Sequence, residues 1–278
     1  MGPNIVNKAR KIVREQGIFG LMCRVPYFVK YDVVKPIHAT YMDLFKYILP
    51  KRRNSILNEV ELPSSIVRPR LYFDKYIPFY RIPDNPDKEG GIINAHIEYT
   101  DKEDSIVIIA GGMGVSTVRS AQVSKYGTLE VFEGGEKQAD LVQEVVNLHD
   151  LDRRVNVHHA VVGKEIDVYG AGNTASAKRI AYDEIPDCDV LELDCEGSEL
   201  EILRNLQITP RVIIVELHPF KAGSDISAIF DALDKMDYNI TSRYSNQGQE
   251  INHEELLDIL SKRKFGEVLP PVVVAIRN

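Results

Sequence analysis

Residues 105–117, SIVIIAGGMGVST, decide the fold. A continuous apolar run over 105–110 ends in three glycines within four residues, Gly111, Gly112 and Gly114, and a helix-like pattern follows over 115–125. An unbroken apolar run marks a strand buried on both faces, as in a parallel sheet. Glycines at its end let backbone come close to a ligand, and a helix N-terminus favours polar or anionic groups. Strand, glycine loop and helix together are the context of a nucleotide-binding turn, although a plain tight turn reads the same way by itself.

The same rhythm repeats outward from this unit. TLEVFE (128–133), VNVHHAVV (155–162), DVLELD (189–194), RVIIVEL (211–217), YNITSRY (238–244) and PVVVAIR (271–277) read as further strands. Helices are expected over 135–149, with Leu141, Val142, Val145 and Val146 on one face, over 199–206, and near 225–236. Alternation of this kind predicts an α/β protein with a mostly parallel, doubly wound sheet of seven strands and helices on both faces.

The 278 residues suffice for such a domain with an appendage, and the 44% hydrophobic and 27% charged fractions are those of a globular protein. No window has the roughly 18–20 apolar residues of a spanning helix, and no secretory signal is read at the N-terminus. The three cysteines, Cys23, Cys188 and Cys195, form no CxxC pair. Reduced thiols in a cytoplasmic protein are expected, with no metal site. The net charge of −7 is uneven: residues 1–53 carry eleven Lys and Arg against three acids, or +8, which leaves −15 on the remainder. Three regions are expected: a basic amphipathic and aromatic arm over 1–53 with a helix over 4–16, an irregular strand and loop lead-in over 54–99, and the binding domain over 100–278.

Glu133 sharpens the reading of the loop. It ends the second strand, 21 residues beyond Gly112. An acid at that place accepts hydrogen bonds from the two ribose hydroxyls of an adenosine. The pattern after Gly112-Met113-Gly114 reaches Thr117 where a dinucleotide fingerprint has its third glycine, which disfavours NAD. On the fourth strand, LELDCEGSELEIL places Asp194 at a strand end with Glu196 and Glu199 in the turn beyond. In a doubly wound sheet strands one and four flank the topological switch point, so Asp194 and Glu196 should face the glycine loop. Carboxylates there are suited to binding a cofactor ammonium, acting as a base, or holding a cation; Glu199 is equally accounted for by the helix dipole. In VELHP (215–219), Glu216 and His218 share one side of an extended chain, and His218 is a candidate proton acceptor. His158 and His159 receive no role.

Taken together, FEGGEKQADLVQEVVNLHDL, AVVG, LDCEGSELEIL and VIIVELHP resemble the FkbM family of S-adenosylmethionine-dependent methyltransferases over about residues 100–220. The resemblance implies a class I methyltransferase fold, Rossmann-like, with a seven-stranded sheet and an antiparallel last strand. It implies S-adenosylmethionine as cofactor and O-methylation of a hydroxyl, typically on a glycan or secondary metabolite. Carried over by position, Gly112 and Gly114 would line the cofactor's methionine part, Glu133 would bind its ribose and Ala160 with Val161 would sit near its adenine, with Gly111, Ser116 and Gly134 as further cofactor-binding residues. Asp194 and Glu196 would lie beside the reacting centre, Asp194 also near the cofactor. The chain departs from the pattern at Ile108, where the family usually has an aspartate, and at Ala110, where its first loop glycine is expected.

For such a transfer Asp194 or Glu196 is the first candidate to take the hydroxyl proton and His218 the second; a uronic carboxylate as acceptor needs no base. Residues 164–180 are read as a loop over the acceptor, with Lys178 and Arg179 as contacts for an anionic substrate. The arm over 1–53 is expected to rest on an anionic membrane face or to mediate a homodimer, and the acidic body disfavours nucleic acid. Two other readings compete: a catalytically silent binding protein that keeps the fold, and an NAD-dependent oxidoreductase.

Overall fold

The computed structural model describes residues 55–63, 86–163, 174, 176–195, 197–218, 226–261 and 269–278. The arm over 1–53, the bulk of the 164–180 loop and Glu196 lie outside them.

Strand β3 (Ile106–Ile109) is the centre of the molecule, and all four of its residues are buried. Its alternate side chains serve opposite faces of the sheet. Ile106 and Ile108 join a core with Ile92, Ala121, Val142 and Val146. Val107 and Ile109 join the opposite core with Leu200, Leu203, Ile229 and Leu233. Burial on both sides is why this stretch reads as a solid apolar run rather than an alternating one.

Helix α2 (Val115–Val123) leads from β3 to β4 (Leu129–Glu133), and α3 (Glu136–Leu148) leads on to β5 (Val155–Val162). The chain then crosses to β7 (Val190–Leu193), which pairs with the other side of β3, and α4 (Glu199–Asn205) carries it to β8 (Val212–Glu216). These pairings are parallel. After α5 (Ile226–Lys235), β9 (Tyr238–Tyr244) forms the far edge; α6 (His253–Ser261) follows, and β10 (Val272–Arg277) inserts between β8 and β9, antiparallel to both. The strand order is β6-β5-β4-β3-β7-β8-β10-β9. The order in which strands are added reverses at β3, with β4 on one side and β7 on the other, and such a switch point places a crevice at the C-terminal ends of the two diverging strands.

The main sheet has eight strands rather than the expected seven. The addition is β6 (Lys178–Ile180), which lies parallel to Ala160–Val162 at the sheet edge. Three residues are too few to show a period, so only the pairing reveals this strand. Lys178 and Arg179, read as part of a loop, are its exposed members. The antiparallel last strand agrees with the class I methyltransferase arrangement.

Within 54–99 the chain forms a short hairpin, β1 (Ser55–Leu57) with β2 (Val60–Leu62), and helix α1 (Gly90–Tyr99). Val60, Leu62 and Ile93 pack with Val115, Val118 and Val145, tying both pieces to the helices around the glycine loop. The paired glycines at the start of α1 are a packing requirement. A Cβ on Gly90 would lie 2.6 Å from the carbonyl oxygen of Gln247, and one on Gly91 2.6 Å from that of Ser245. No helix among the described residues is long and apolar enough to cross a membrane.

Candidate active site

The loop after β3 is built by positions with different constraints. Ala110 has φ of 72°, the left-handed region that glycine occupies without penalty. A Cβ on Gly111 would stand 2.6 Å from Val131 Cγ1, so that residue is small because the loop lies on β4. Gly114, with φ of 82°, precedes α2 and closely faces Val145 of α3. Gly112, with φ of 56°, differs from both: a Cβ there would meet nothing within 4 Å. The backbone at Gly112 borders open space that the sequence leaves unfilled.

Glu133 closes this loop from the side. Its Oε2 accepts the Gly112 N–H at 3.3 Å and its Oε1 the Gly135 N–H at 3.1 Å. Burial pushes this carboxyl up, and the loop N–H groups partly offset that. Gln138, for which the sequence carried no signal, donates from Nε2 to the Gly112 carbonyl at 2.9 Å and braces the loop on α3. Gly134 lies against the end of β5: a Cβ there would be 2.9 Å from Val161 Cγ2, next to buried Ala160. Gly112, Glu133, Gly134, Ala160 and Val161 thus line one end of β3, β4 and β5. The two carboxylate oxygens of Glu133 offer about four acceptor sites, and the N–H groups of Gly112, Gly134 and Gly135 engage them without filling all. A buried acid with spare acceptor capacity beside an open glycine suits the paired hydroxyls of a ribose, so the residues fit an adenosine cofactor.

Ser116 faces elsewhere. Its hydroxyl donates to Glu192 Oε1 at 2.9 Å, and Glu192 Oε2 meets His96 Nε2 at 2.7 Å. His96 Nδ1 reaches Thr100 Oγ1 at 3.0 Å. Glu192 is the register partner of Ile108, and both are fully buried on the same face. The acid that the family pattern has near Ile108 is therefore absent from β3, while β7 carries one directly alongside. That acid ties α1 and α2 to the sheet beneath the glycine loop.

Across the crevice, the ends of β7 and β8 gather a second set of groups. His218 is buried among three carboxylates. Its Nδ1 donates to Glu199 Oε1 at 2.8 Å; its Nε2 lies 3.2 Å from Glu216 Oε2 and 3.4 Å from Asp194 Oδ1. Glu199 Oε1 is itself held by the N–H groups of Cys195 and Gly197, at 3.1 and 3.2 Å. Glu216 Oε1 accepts from Asn246 Nδ2 at 2.9 Å. Burial by itself would lower the His218 pKa, but hydrogen bonds to Glu199 and Glu216 outweigh it and push it up to about 10. Burial and the neighbouring Glu216 charge raise Asp194 well above the usual carboxylate range. Glu216 is held low despite its burial, because His218 and Asp194 both hydrogen-bond it.

The site therefore brings Asp194 and His218 together, as two of the sequence candidates, and adds Glu199, Glu216 and Asn246. Glu199, which a helix dipole would explain, is a buried anchor for the imidazole. The Glu-x-His spacing of 216 and 218 carried a signal for Glu216; nothing local pointed to Asn246. His158 pairs with Glu130 and stacks on Phe132 away from this cluster.

Comparison with known proteins found one family model and several solved structures to which the chain is similar. A family model, the methyltransferase FkbM domain, matches residues 175–240. No curated protein matches the chain. Among solved structures, the chain is similar to the StiE O-methyltransferase domain, with 12% identity, TM-score 0.43, and coverage of 67% of this chain and 73% of that one. It is also similar to a geranyl diphosphate methyltransferase in complex with S-adenosylmethionine, with 10% identity, TM-score 0.43, and coverage of 67% and 83%. An S-adenosylmethionine-dependent O-methyltransferase from Thermotoga maritima is a third, with 12% identity, TM-score 0.41, and coverage of 68% and 64%. Residues 175–240, which supply Asp194, Glu199, Glu216 and His218, thus carry the match to the methyltransferase FkbM domain, within the eight-stranded sheet.

Proposed function

We propose that the protein is an S-adenosylmethionine-dependent O-methyltransferase acting on a hydroxyl of a glycan or secondary metabolite. The observation that carries this reading is the pairing of Glu133 with Gly112 on one side of the crevice and Asp194 with His218 on the other. Glu133 and Gly134 would hold the ribose, Gly111, Gly112 and Gly114 the methionine portion, and Ala160 with Val161 the adenine. The Ser116 hydroxyl, committed to Glu192, would support the loop from below.

The bound cofactor supplies a methyl group already activated by its sulfonium. The work of this chain is alignment and proton management. Asp194 is the member of the cluster with an accessible side chain, 25% exposed against 7% for His218 and Glu216. The acceptor hydroxyl would meet Asp194 first and deliver its proton to an Asp194 carboxylate oxygen. A positioned general base contributes on the order of 10²–10⁴-fold. His218, held as an imidazolium, offsets the charge of Glu199 and Glu216 and keeps the acid end of β8 in place. Glu196 remains a second candidate base.

The test is methyl transfer from isotopically labelled S-adenosylmethionine to extracted glycans and small metabolites, read as a gained methyl mass on a hydroxyl. Transfer lost in Asp194→Asn supports the reading. No labelled product from any hydroxyl-bearing fraction would overturn it.

A further inference from the structure

The trio Asp194, Glu216 and His218 has the donors of a metal site. One ligand atom from each lies within 4.8 Å of the others, and Glu216 and His218 are buried. The two buried donors are each oriented from behind by a residue outside the trio. Glu199 holds His218 Nδ1, which turns Nε2 toward the carboxylates. Asn246 holds Glu216 Oε1, which leaves Oε2 facing Nε2 at 3.2 Å. A carboxylate behind a histidine ring is the recurrent outer partner of metal-binding histidines, because it fixes the ring and raises its donor strength. The third donor, Asp194, sits at the half-open side, so a bound ion would keep positions free for an incoming oxygen.

Charge points the same way. Asp194, Glu199 and Glu216 surround one imidazole, while Lys88, a nearby cation among the described residues, is paired with Glu89 at 3.1 Å. One imidazole nitrogen with two carboxylate oxygens suits a divalent first-row transition ion such as Mn²⁺, Fe²⁺ or Zn²⁺ better than Ca²⁺, which takes oxygen ligands throughout.

We propose that Asp194, Glu216 and His218 bind one such divalent cation at the C-terminal ends of β7 and β8, with Glu199 and Asn246 positioning two of its ligands. The ion enters between Nε2 and Oε2, and both the Nε2 proton and the proton shared by Asp194 and Glu216 leave to solvent. Cation binding needs neither cofactor nor acceptor. Only its consequence, gripping an acceptor hydroxyl oxygen and easing its deprotonation, rests on the methyl-transfer reading.

The experiment is titration of the metal-stripped full chain with Mn²⁺, following the free-ion signal by electron paramagnetic resonance, with no cofactor or acceptor present. Saturable binding of one ion per chain is expected. Asp194→Asn and His218→Gln should each weaken it at least about tenfold, and Glu199→Gln on the order of 10–100-fold. Asp194→Asn is the decisive variant because its half-open position tolerates the change, and circular dichroism verifies its fold. Glu130→Gln, which alters the separate Glu130–His158 pair, should leave the titration unchanged. No binding up to millimolar Mn²⁺, binding unaltered in Asp194→Asn, or equal loss in Glu130→Gln each overturns the proposal. Thermal shift with S-adenosylhomocysteine on the same protein reads the cofactor site separately, so failure of one reading leaves the other measurable.

Discussion

Glu199 and His218, 19 residues apart on α4 and just beyond β8, meet at 2.8 Å through Oε1 and Nδ1. Neither side chain is more than 7% exposed. This bond sets the direction of Nε2 and so the geometry of the whole acidic end of the crevice.

The same bond makes stability depend on pH. The folded His218 pKa of about 10 lies above the ordinary value of 6.5, so folding favours the protonated ring. That contribution is fully present below about pH 6.5 and is lost as pH rises through about 10. Urea denaturation of wild type and His218→Gln, both in EDTA, should show a stability gap that is largest below pH 6.5 and shrinks toward pH 10. A gap constant over this window would contradict the assignment.

Glu133 should govern cofactor binding. S-adenosylhomocysteine is expected to stabilise the wild-type protein by mass action, by about 2.7 kcal/mol at a hundredfold excess over Kd, and so to raise its melting temperature. Glu133→Ala should lose most of that shift, whereas NAD should produce none with either protein. A full shift in the mutant would remove Glu133 from the ribose site.

Ala110 holds φ of 72° where a side chain is disfavoured. Ala110→Gly removes that strain and should stabilise the protein by roughly 1 kcal/mol, less the added freedom of glycine in the unfolded chain. Chemical denaturation reads the change directly; a clear loss of stability would show that the loop needs the methyl group.

The pair of Glu192 with His96 is buried beneath the loop. Glu192→Ala leaves His96 Nε2 and the Ser116 hydroxyl buried without their carboxylate partner and is expected to cost about 2–4 kcal/mol, since each unsatisfied buried polar group costs about 1–3 kcal/mol. Ser116→Ala removes one hydrogen bond and should cost only about 1 kcal/mol. If the two variants were equally mild in denaturant titration, the network would be no keystone of the α1–α2 junction.

Local pattern was enough for most of the elements. The runs at 106–109 and 212–215 are buried on both faces and appear as unbroken apolar stretches, and 190–193 is apolar apart from the buried Glu192. The amphipathic pattern of 136–148 declares a helix. The glycine loop, Glu133 and Asp194 were legible because each stands at the end of such a run, where a doubly wound sheet places its ligand crevice. Strand β6 was not legible, since three residues have no period of their own.

The succession of strands and helices, and the chemistry at their ends, follow from local residue pattern alone. The tertiary structure decided which distant side chains meet: Glu192 with His96 across 96 positions, Asn246 with Glu216 across 30, and His218 with Glu199. It also decided that β10 slides between β8 and β9. The physical reason is that periodicity is a short-range property of one chain segment. A buried polar pair is fixed instead by strand order and register, which bring together groups that must satisfy one another away from water.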